Sequence, residues 1–377
     1  MPAAAQADLS GLLVVSVEQA VAAPYAASRL ADAGARVIKI EREEGDFARR
    51  YDRAVDGESA YFVWLNRGKE SVVMDLKDPA DQATLRRMIA KADVFIQNLA
   101  PGALARLGLD PDTLRRDNPR LITCSISGYG EDGPRKDLKA YDLLVQAETG
   151  LAEITGDGAS RARVGVSVCD IAAGMTAFQA ILQALIGRSV TGKGRHIAVS
   201  LFHALADWMN VPYLQYAYGG IYPERSGLNH PTIAPYGAYP CSDGKPILFS
   251  IQNEREWAAL CAKVLGDAAI ATDPRFADNV ARVANRAALD EIIVAAFATA
   301  PREAIAERLE AAKIAYGRVS SLEDLKNHPQ NLHIAVDTPA GTKRMLAPGA
   351  LHDRELPAFG PVPALGAHTE AVKREFG

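Results

Sequence analysis

The 377-residue sequence lacks the signals that mark several common enzyme classes. Its four cysteines lie far apart and form no CxxC pair, so neither a zinc site nor a disulfide framework is indicated. Its seven histidines show no HExxH spacing, and no GxSxG nucleophile elbow occurs. The glycine-containing stretch "TGKGRH" does not match a phosphate-binding loop. We therefore expect neither a metal site nor one of the common hydrolase active sites.

The sequence also lacks an excess of positive charge. Its net charge is −4 and it contains no polybasic run, which argues against nucleic acid or an anionic membrane as a partner. The N-terminal stretch "MPAAAQADLSG" has no basic region followed by an apolar core, and "LLVVSV" is too short to span a bilayer. These features predict a cytoplasmic protein without a signal peptide and without a membrane partner.

What the first half does contain is a regular alternation of strand and helix patterns. A short apolar run at 12–17 precedes a helical pattern at 24–33, and a second apolar run follows at 36–41. This spacing is typical of a βαβ unit with a right-handed crossover. Further strand patterns occur at 71–76, 93–99 and 120–127. The alternation predicts an α/β fold, a Rossmann-like doubly wound parallel sheet.

The pattern changes after about residue 220. The stretch "GAYPCSDGKPILFSIQN" predicts two strands joined by a Ser-Asp-Gly turn, and helical patterns follow at 254–265, 286–299 and 301–312. We predict a large domain at 1–222 and a small α+β domain at 223–315. The remaining segment, 316–377, is predicted to return and complete the large domain.

The turn after the first strand excludes one obvious interpretation and leaves another. It reads "SVEQAVAAPYAAS" and contains no glycine, so the dinucleotide fingerprint of NAD and FAD enzymes is missing. Basic residues nevertheless follow the second to fifth strands, at Arg42, Lys77, Arg106 and Lys139. Ligands of open parallel sheets lie at these strand ends, where cations suit an anionic, phosphate-bearing ligand. Solvated surface is the alternative interpretation for any one of them.

Several longer stretches resemble one enzyme family. The segments "EQAVAAPYAASRLADAGARVIKIEREEGDFAR", "ADVFIQNLAPGALARLGL" and "VGVSVCDIAAGM" are similar to the class III CoA-transferases, also called the CaiB/BaiF family. The likeness covers nearly the whole chain in order. It implies a large domain that binds CoA and an obligate, interlocked homodimer. Its substrates would be an acyl-CoA and a carboxylate, with coenzyme A thioester as substrate and no tightly bound cofactor.

The resemblance also assigns roles to individual residues. The family's nucleophilic aspartate corresponds to Asp170, and its active-site tyrosine corresponds to Tyr141. The positions that match the family's CoA contacts and first loop are Gln19, Ala22, Ala23, Arg42, Met74, Lys77, Asn98, Leu99, Arg106 and Lys139.

The chemistry of a carboxylate fits the role of nucleophile at Asp170. With an ordinary pKa near 4 it is ionised at pH 7 and needs no general base. It would attack the thioester to give a mixed anhydride, and the CoA thiolate would return to form an aspartyl-CoA thioester. The alternative is that Asp170 is only the N-cap of the helix that follows. Its neighbour Cys169 is expected to be a passive buried thiol.

The family also contains 2-methylacyl-CoA racemases, which need two acid/base groups. In those enzymes a "GHD" stretch supplies a histidine, whereas this chain has "KAYD" with Tyr141 in its place. A tyrosine with a pKa near 10 is a poor base at pH 7, which favours CoA transfer over racemisation. Asp142 is expected either to assist Asp170 or to be a surface or cap residue. A CoA-binding protein without turnover is the third hypothesis.

The acyl substrate is indicated by a stretch at the start of the small domain. "HPTIAPYGAY" resembles the branch of itaconate, succinate and mesaconyl-CoA C1–C4 CoA-transferases, which predicts a C4–C5 dicarboxylic acid. His230, Ile233 and Tyr236 would line the substrate there; a rigid interdomain turn is the alternative. Arg49 and Arg225 are further candidates for a carboxylate clamp, since arginine can grip a carboxylate through two parallel hydrogen bonds.

Overall fold

A computed structural model describes residues 7–377 of the chain. Residues 1–6 lie outside this range. They begin the stretch "MPAAAQADLSG", on which the prediction of no signal peptide rests. The chain divides into two compact units. The larger unit takes in the chain up to Leu151 together with Val164–Val211 and Leu332–Gly377, and the smaller unit consists of Ala152–Arg163 and Pro212–Asn331.

The two units together contain the following strands and helices. The strands are β1 Leu13–Val17, β2 Arg36–Glu41, β3 Lys69–Val73, β4 Val94–Gln97, β5 Ile122–Ser127, β6 Gly156–Asp157, β7 Ser160–Arg161, β8 His196–Ser200, β9 Tyr236–Pro240, β10 Pro246–Ser250, β11 Tyr316–Arg318, β12 His333–Thr338 and β13 Gly341–Leu346. The α-helices are α1 Ala22–Asp32, α2 Ala60–Leu65, α3 Pro79–Lys91, α4 Ala103–Arg106, α5 Pro111–Asp117, α6 Asp142–Glu148, α7 Leu151–Ile154, α8 Val168–Thr191, α9 Leu201–Trp208, α10 Asn210–Gly219, α11 Glu254–Ala259, α12 Asn279–Ala284, α13 Arg286–Phe297, α14 Arg302–Ala311, α15 Leu322–Lys326 and α16 Thr369–Phe376. Short 3-10 helices cover Phe47–Arg50, Ala268–Thr272 and Pro274–Phe276, and a π-helical segment covers Leu260–Leu265.

The larger unit is built on a six-stranded parallel sheet with strand order β3-β2-β1-β4-β5-β8. The order reverses between β1 and β4, and in open α/β sheets ligands bind beside such a reversal, at the carboxyl ends of the strands. The predicted α/β architecture with a parallel sheet is confirmed.

Helices cover both faces of this sheet. Val14 and Ile96 belong to a core that includes residues of α1, α8 and α9, whereas Val15 and Phe95 belong to a second core with residues of α3, α5 and α16. Successive residues of a strand point to opposite faces, so each strand contributes to both cores. Burial on both faces explains why these strands read as continuous apolar runs rather than as alternating ones.

The long helix α8 packs closely on α1. A side-chain carbon at Gly174 would lie 2.7 Å from the carbonyl oxygen of Ala22 and 2.8 Å from Cβ of Tyr25, so only glycine allows this approach. Among the described helices, α8 alone is long and apolar enough to cross a membrane by length and composition. Core helices of soluble proteins share these properties, and the predictions about membrane and cellular location stay predictions.

The C-terminal segment covers the edge strand β3. The backbone nitrogen of His368 donates to Ser71 O (3.0 Å), and the Ser71 nitrogen donates to Nδ1 of His368 (3.2 Å). The Val73 nitrogen donates to the hydroxyl of Thr369 (3.0 Å). The side chains of His368 and Thr369 thus accept hydrogen bonds from two backbone nitrogens of β3 that would otherwise have no neighbouring strand to pair with.

The smaller unit has a three-stranded antiparallel sheet with order β11-β10-β9 and its own apolar core. The predicted hairpin between 237 and 253 is present as β9 and β10. The unit also includes the short hairpin of β6 and β7, where the Gly227 nitrogen donates to Gly156 O (2.9 Å). Sequence patterns did not indicate that 152–163 would join this unit, because the joining contact comes from about 70 residues further along the chain.

Several predicted bounds differ from the observed ones; the third strand and the helix predicted at 254–265 are two examples. The third strand was predicted at 71–76 but ends at Val73, since Asp75 begins a turn in which its carboxylate accepts from the Lys77 nitrogen (2.9 Å). The helix predicted at 254–265 is α-helical only to Ala259 and continues as a π-helical segment. The first difference lies at the end of a strand, where apolar residues continue the pattern past the hydrogen-bonded structure. The second lies in the middle of the predicted helix.

Candidate active site

Two adjoining cavities lie at the carboxyl ends of the parallel strands. The first, here called the strand-end cavity, has a volume of about 700 Å³ and is lined by residues that include Gln19, Arg42, Met74, Lys77 and Leu99. The second, here called the Asp170 cavity, has a volume of about 260 Å³ and is lined by residues that include Gln19, Ala22, Asn98, Leu99, Lys139, Tyr141 and Asp170. Because both cavities include Gln19, Leu99 and Ala100, they form adjoining parts of one cleft.

Most of the residues assigned by resemblance thus lie along this cleft, and two do not. Ala23 is fully buried in the core beside α8, so its side chain faces neither cavity. Arg106 is exposed at the end of α4, and it lines neither cavity in this structure. A CoA contact by either residue remains a prediction from resemblance.

The loop after β1 is held by two side chains from the segments that follow β4 and β2. The Asn98 amide brackets the Gln19 backbone: Nδ2 donates to Gln19 O (2.8 Å) and Oδ1 accepts from Gln19 N (2.9 Å). Asp46 Oδ1 accepts from the nitrogen of Ala20, which has a φ of 64°. A left-handed conformation is unfavourable for alanine and persists where surrounding bonds fix it. Asn98 therefore shapes the wall of the cleft through Gln19.

Beneath this loop lies a buried cluster of charges that the sequence patterns did not identify as part of the site. Lys39 Nζ contacts Asp46 Oδ2 at 2.7 Å, and Lys69 Nζ contacts Glu18 Oε1 at 2.6 Å. Burial opposes the charged form of Lys39, but the surrounding carboxylates, first that of Asp46, outweigh it and raise the pKa. Burial lowers the pKa of Lys69 to about 8, although the Glu18 carboxylate opposes the shift. The sequence signals are Lys39 inside the apolar run of β2 and Lys69 at the first position of β3.

Asp170 is placed by the start of α8. The helix begins at Val168 with Ser167 at the N-cap, so Asp170 is its third residue and not its cap. The interpretation of Asp170 as the N-cap is therefore wrong. The capping side chain comes from Asp142, whose Oδ1 accepts from the nitrogens of Cys169 (2.7 Å) and Asp170 (3.4 Å). Asp142 is thus a cap residue, and the helix it caps is α8, not its own helix α6. Whether it also assists Asp170 stays a prediction.

The environment of Asp170 changes its acidity. The residue is half-buried, and burial together with the nearby charge of Asp142 raises the pKa of the Asp170 carboxyl to about 7. This corrects the expectation of an ordinary carboxylate that is fully ionised at neutral pH. A carboxyl group shifted in this way is typical of reactive sites.

Two tyrosines line the Asp170 cavity. Tyr141 directly precedes α6 and is 64% exposed. Tyr51, which the sequence analysis did not identify, lines the same cavity and packs edge-on against Tyr61 with ring centroids 5.3 Å apart. Burial, followed by the negative charges of Asp46 and Asp170, raises the pKa of Tyr51 to about 12. Its phenol is therefore neutral at pH 7 and able to donate a hydrogen bond.

Cys169 is fully buried, and its Sγ donates to Asp142 O at 3.3 Å. Burial and the charges of Asp142 and Asp170 raise the pKa of this thiol. A thiol that stays protonated is a weak nucleophile. The expected burial of Cys169 is confirmed, and its passive role stays a prediction.

The predicted substrate loop lies in the smaller unit. The rings of His230 and Tyr236 stack with centroids 5.2 Å apart and an interplanar angle of 13°. Arg286 Nη2 donates to His230 O (2.7 Å) and to Ile233 O (3.0 Å). The loop is thus held in shape by its own unit, which both the functional and the rigid-turn interpretations require. A contact of this loop with substrate stays a prediction.

The two arginines considered for a carboxylate clamp are both bound to protein acceptors. Arg49 makes two hydrogen bonds to Glu41, at 2.7 and 2.8 Å, and lies over the Phe62 ring. Arg225 donates to Glu153 O (2.8 Å), Glu153 Oε1 (3.0 Å) and Gly158 O (2.7 Å). These contacts give both guanidinium groups a structural role.

Metal ligands are a separate question. Residues 7–377 contain no cluster of three or more His, Cys, Asp or Glu side chains that could hold a metal ion.

The comparison with known proteins assigns the chain to a family. A family model described as CoA-transferase family III matches residues 9–369. The succinate–glutarate CoA-transferase of Agrobacterium fabrum is 36% identical over 98% of this chain and 95% of its own. The acetyl-CoA:oxalate CoA-transferase of Acetobacter aceti is 37% identical over 87% of this chain and 85% of its own.

A solved structure agrees with these relatives. A CaiB/BaiF family protein from Brucella suis is 33% identical, with a TM-score of 0.84 and coverage of 99% of this chain and 100% of that one. The family resemblance drawn from the sequence is thereby confirmed. The chain belongs to CoA-transferase family III, the CaiB/BaiF family, and is a class III CoA-transferase.

Proposed function

We propose that this enzyme moves CoA between short dicarboxylic acids, of four or five carbons, through covalent intermediates on Asp170. The observation that carries the proposal is the cleft itself. Asp170 lines its inner cavity, which adjoins a larger cavity lined by Arg42, Met74 and Lys77 at the strand ends. An extended anionic thioester can place its phosphates near the cations and its thioester near the carboxylate.

The reaction proceeds by exchange of acyl groups on Asp170. The ionised carboxylate attacks the thioester carbonyl, the C–S bond breaks, and a mixed anhydride and CoA thiolate form. The thiolate attacks the Asp170 carbonyl, releases the first acid as its carboxylate, and leaves an aspartyl-CoA thioester. The second acid attacks this thioester, and the same steps in reverse give the new acyl-CoA and free Asp170.

The neighbouring groups have defined roles in this scheme. Tyr141 and the neutral Tyr51 donate hydrogen bonds within the Asp170 cavity, where negative charge develops on the carbonyl oxygens. Lys139 adds positive charge to the same cavity. The CoA thioester enters as substrate, so the scheme requires no tightly bound cofactor.

The substrate class is supported by the names of relatives and by the loop in the smaller unit. One relative is named for succinate and glutarate, which have four and five carbons, and another for oxalate. We propose that His230, Ile233 and Tyr236 meet the acyl group. The stacked rings of His230 and Tyr236 offer a flat, rigid surface with polar edges.

We further propose that the enzyme is an interlocked homodimer. In the larger unit, Ile186 and Val190 of α8 are exposed apolar residues. Helix α10 exposes Val211 of the larger unit and Tyr213, Leu214 and Tyr218 of the smaller unit. Clusters of large exposed apolar residues mark interaction surfaces more often than surfaces that stay in contact with solvent. The family resemblance implies that a second chain covers them.

The test is a transfer assay with succinyl-CoA as donor. The acceptors are glutarate, itaconate, mesaconate, citramalate and malate, and butyrate is a matched monocarboxylate control. We expect kcat/KM for at least one C5 dicarboxylate to exceed that for butyrate at least tenfold, and Asp170→Ala to abolish transfer. Equal use of butyrate would contradict the substrate class.

Two other outcomes point to different chemistry. Conversion of mesaconyl-C1-CoA to its C4 isomer without added acid would place the transfer within one molecule. Exchange of an α-hydrogen of 2-methylacyl-CoA with deuterated water, without any transfer, would support the racemase alternative and refute CoA transfer.

A further inference from the structure

Asp142 touches the helix that carries the nucleophile. It begins α6, and its Oδ1 accepts from the backbone nitrogens of Cys169 (2.7 Å) and Asp170 (3.4 Å) in the first turn of α8. A hydrogen bond to the Asp170 backbone places the Asp142 carboxylate within a few ångströms of the Asp170 side chain. Two carboxylates of different elements therefore lie together at one helix start.

A buried side chain fixes this arrangement. Gln146 is fully buried; its Nε2 donates to Asp142 Oδ2 (2.7 Å) and its Oε1 accepts from the Val164 nitrogen (2.8 Å). Both oxygens of Asp142 thus accept hydrogen bonds, and its carboxylate cannot turn away from Asp170 without breaking them.

Other ionisable groups face Asp170 from the surrounding elements. Tyr51 follows the 3-10 helix Phe47–Arg50, Lys139 and Tyr141 precede α6, and Cys169 precedes Asp170 on α8. Lys139 is exposed to solvent, which screens its charge, whereas burial raises the pKa of Tyr51 and of the Cys169 thiol and keeps both groups neutral at pH 7. Asp142 is thus the negative charge that acts most directly on Asp170.

We propose, building on the transferase mechanism above, that Asp142 is a positioning residue whose negative charge favours the acylated form of Asp170 over its free carboxylate. When the mixed anhydride forms, an Asp170 oxygen bonds to the acyl carbon and the thiolate leaves with the negative charge. When the thiolate bonds to the Asp170 carbonyl carbon, the anhydride C–O bond breaks and the charge leaves on the released acid. Asp170 changes from an anion to a neutral thioester, which relieves the repulsion by Asp142.

The same repulsion acts on the proton. Any charge that disfavours the anion of Asp170 favours both its protonated and its acylated form, because both are neutral. Burial and the Asp142 charge raise the pKa of Asp170 to about 7. The proposal thus links two measurable quantities, the acidity of Asp170 and the share of enzyme held as aspartyl-CoA.

The decisive variant is Asp142→Asn, which removes the charge and keeps an oxygen that can accept from the Cys169 nitrogen. The enzyme is mixed with succinyl-CoA, and the CoA adduct at Asp170 is quantified by peptide mass spectrometry from pH 5 to pH 9. We expect the adduct-to-free ratio to fall about tenfold and the pH midpoint of adduct formation to fall by about one unit. The midpoint falls because Asp170 ionises more readily without its neighbour.

A second variant separates charge from structure. Asp142→Asn combined with Gln146→Glu restores a donor–acceptor pair between the two side chains, with the amide now at 142 and the carboxylate at 146. The negative charge is thus returned to the neighbouring side chain, and the pH midpoint of adduct formation should move back toward the wild-type value. Asp132→Asn, at an exposed carboxylate, should leave the ratio and the midpoint unchanged. A wild-type ratio and midpoint in Asp142→Asn would overturn the proposal. Absence of any adduct in the wild-type enzyme would instead overturn the transferase mechanism itself.

Discussion

At the residue scale, the site depends on how the fold changes an ordinary carboxyl group. Asp170 has a raised pKa because it is half-buried and because Asp142 lies beside it. Sequence alone could identify Asp170 by family resemblance but not its acidity. The responsible neighbour is separated from it by 28 residues, and only the packing of α6 against α8 brings the two together.

The raised pKa of Asp170 predicts a pH-dependent cost in stability. The folded chain holds this proton up to about pH 7, whereas the unfolded chain releases it near pH 4. The contribution of Asp170 to stability is therefore lost as the pH rises from about 4 to about 7. Asp170→Asn, which stays neutral, should gain about 1–2 kcal/mol relative to wild type between pH 5 and pH 8, after allowance for solvent screening.

Urea unfolding of both proteins at pH 5 and pH 8 measures this difference. Asp132→Asn is the control, because its exposed carboxylate should give the same stability difference at both pH values. A difference between Asp170→Asn and wild type that does not change with pH would show that the folded chain leaves the acidity of Asp170 unperturbed.

At the element scale, apolar patterns predicted the strands of the parallel sheet well, because burial on both faces leaves a continuous apolar run. They failed where a long-range contact decides the structure. The strand at 69–73 starts with Lys69 and Glu70, which a pattern search excludes, yet Lys69 is buried against Glu18. The interpretation of Asp170 as the N-cap of α8 is wrong by three residues: the N-cap position is Ser167, and the side chain that caps the helix comes from Asp142.

Helices α1 and α8 approach each other closely at Gly174, which lies one helical turn after Asp170 on α8. Gly174→Ala should destabilise the protein by about 1–3 kcal/mol, because its Cβ would lie 2.7 Å from Ala22 O and force the helices apart. We also expect less adduct at Asp170. Gly187→Ala on the same helix is the matched control: its Cβ would meet only the end of the Arg195 side chain at 3.3 Å.

Helix propensity should make Gly187→Ala neutral or stabilising by up to about 1 kcal/mol. Thermal and urea unfolding of the two variants, together with adduct yield, check the comparison. Equal stability and equal adduct yield in both variants would show that the helix crossing does not position Asp170.

At the scale of the whole molecule, the exposed apolar residues on α8 and α10 are the feature that one chain leaves unexplained. Val190 of α8 is 84% exposed. If a second chain covers it, light scattering after gel filtration should give about twice the chain mass of 40.3 kDa. Val190→Glu should shift the enzyme toward the monomer, because burying an unpaired charge in an interface is unfavourable. A monomeric wild-type enzyme would contradict the proposed homodimer.

The central claim is that Asp170 carries the CoA during transfer. The most direct measurement is peptide mass spectrometry of the enzyme quenched during turnover with succinyl-CoA and glutarate, with and without hydroxylamine. We predict a CoA thioester on the peptide that contains Asp170, its loss on hydroxylamine treatment, and its absence in Asp170→Ala. Continued transfer by an enzyme that carries no adduct at Asp170, or carries it on another residue, would contradict the account.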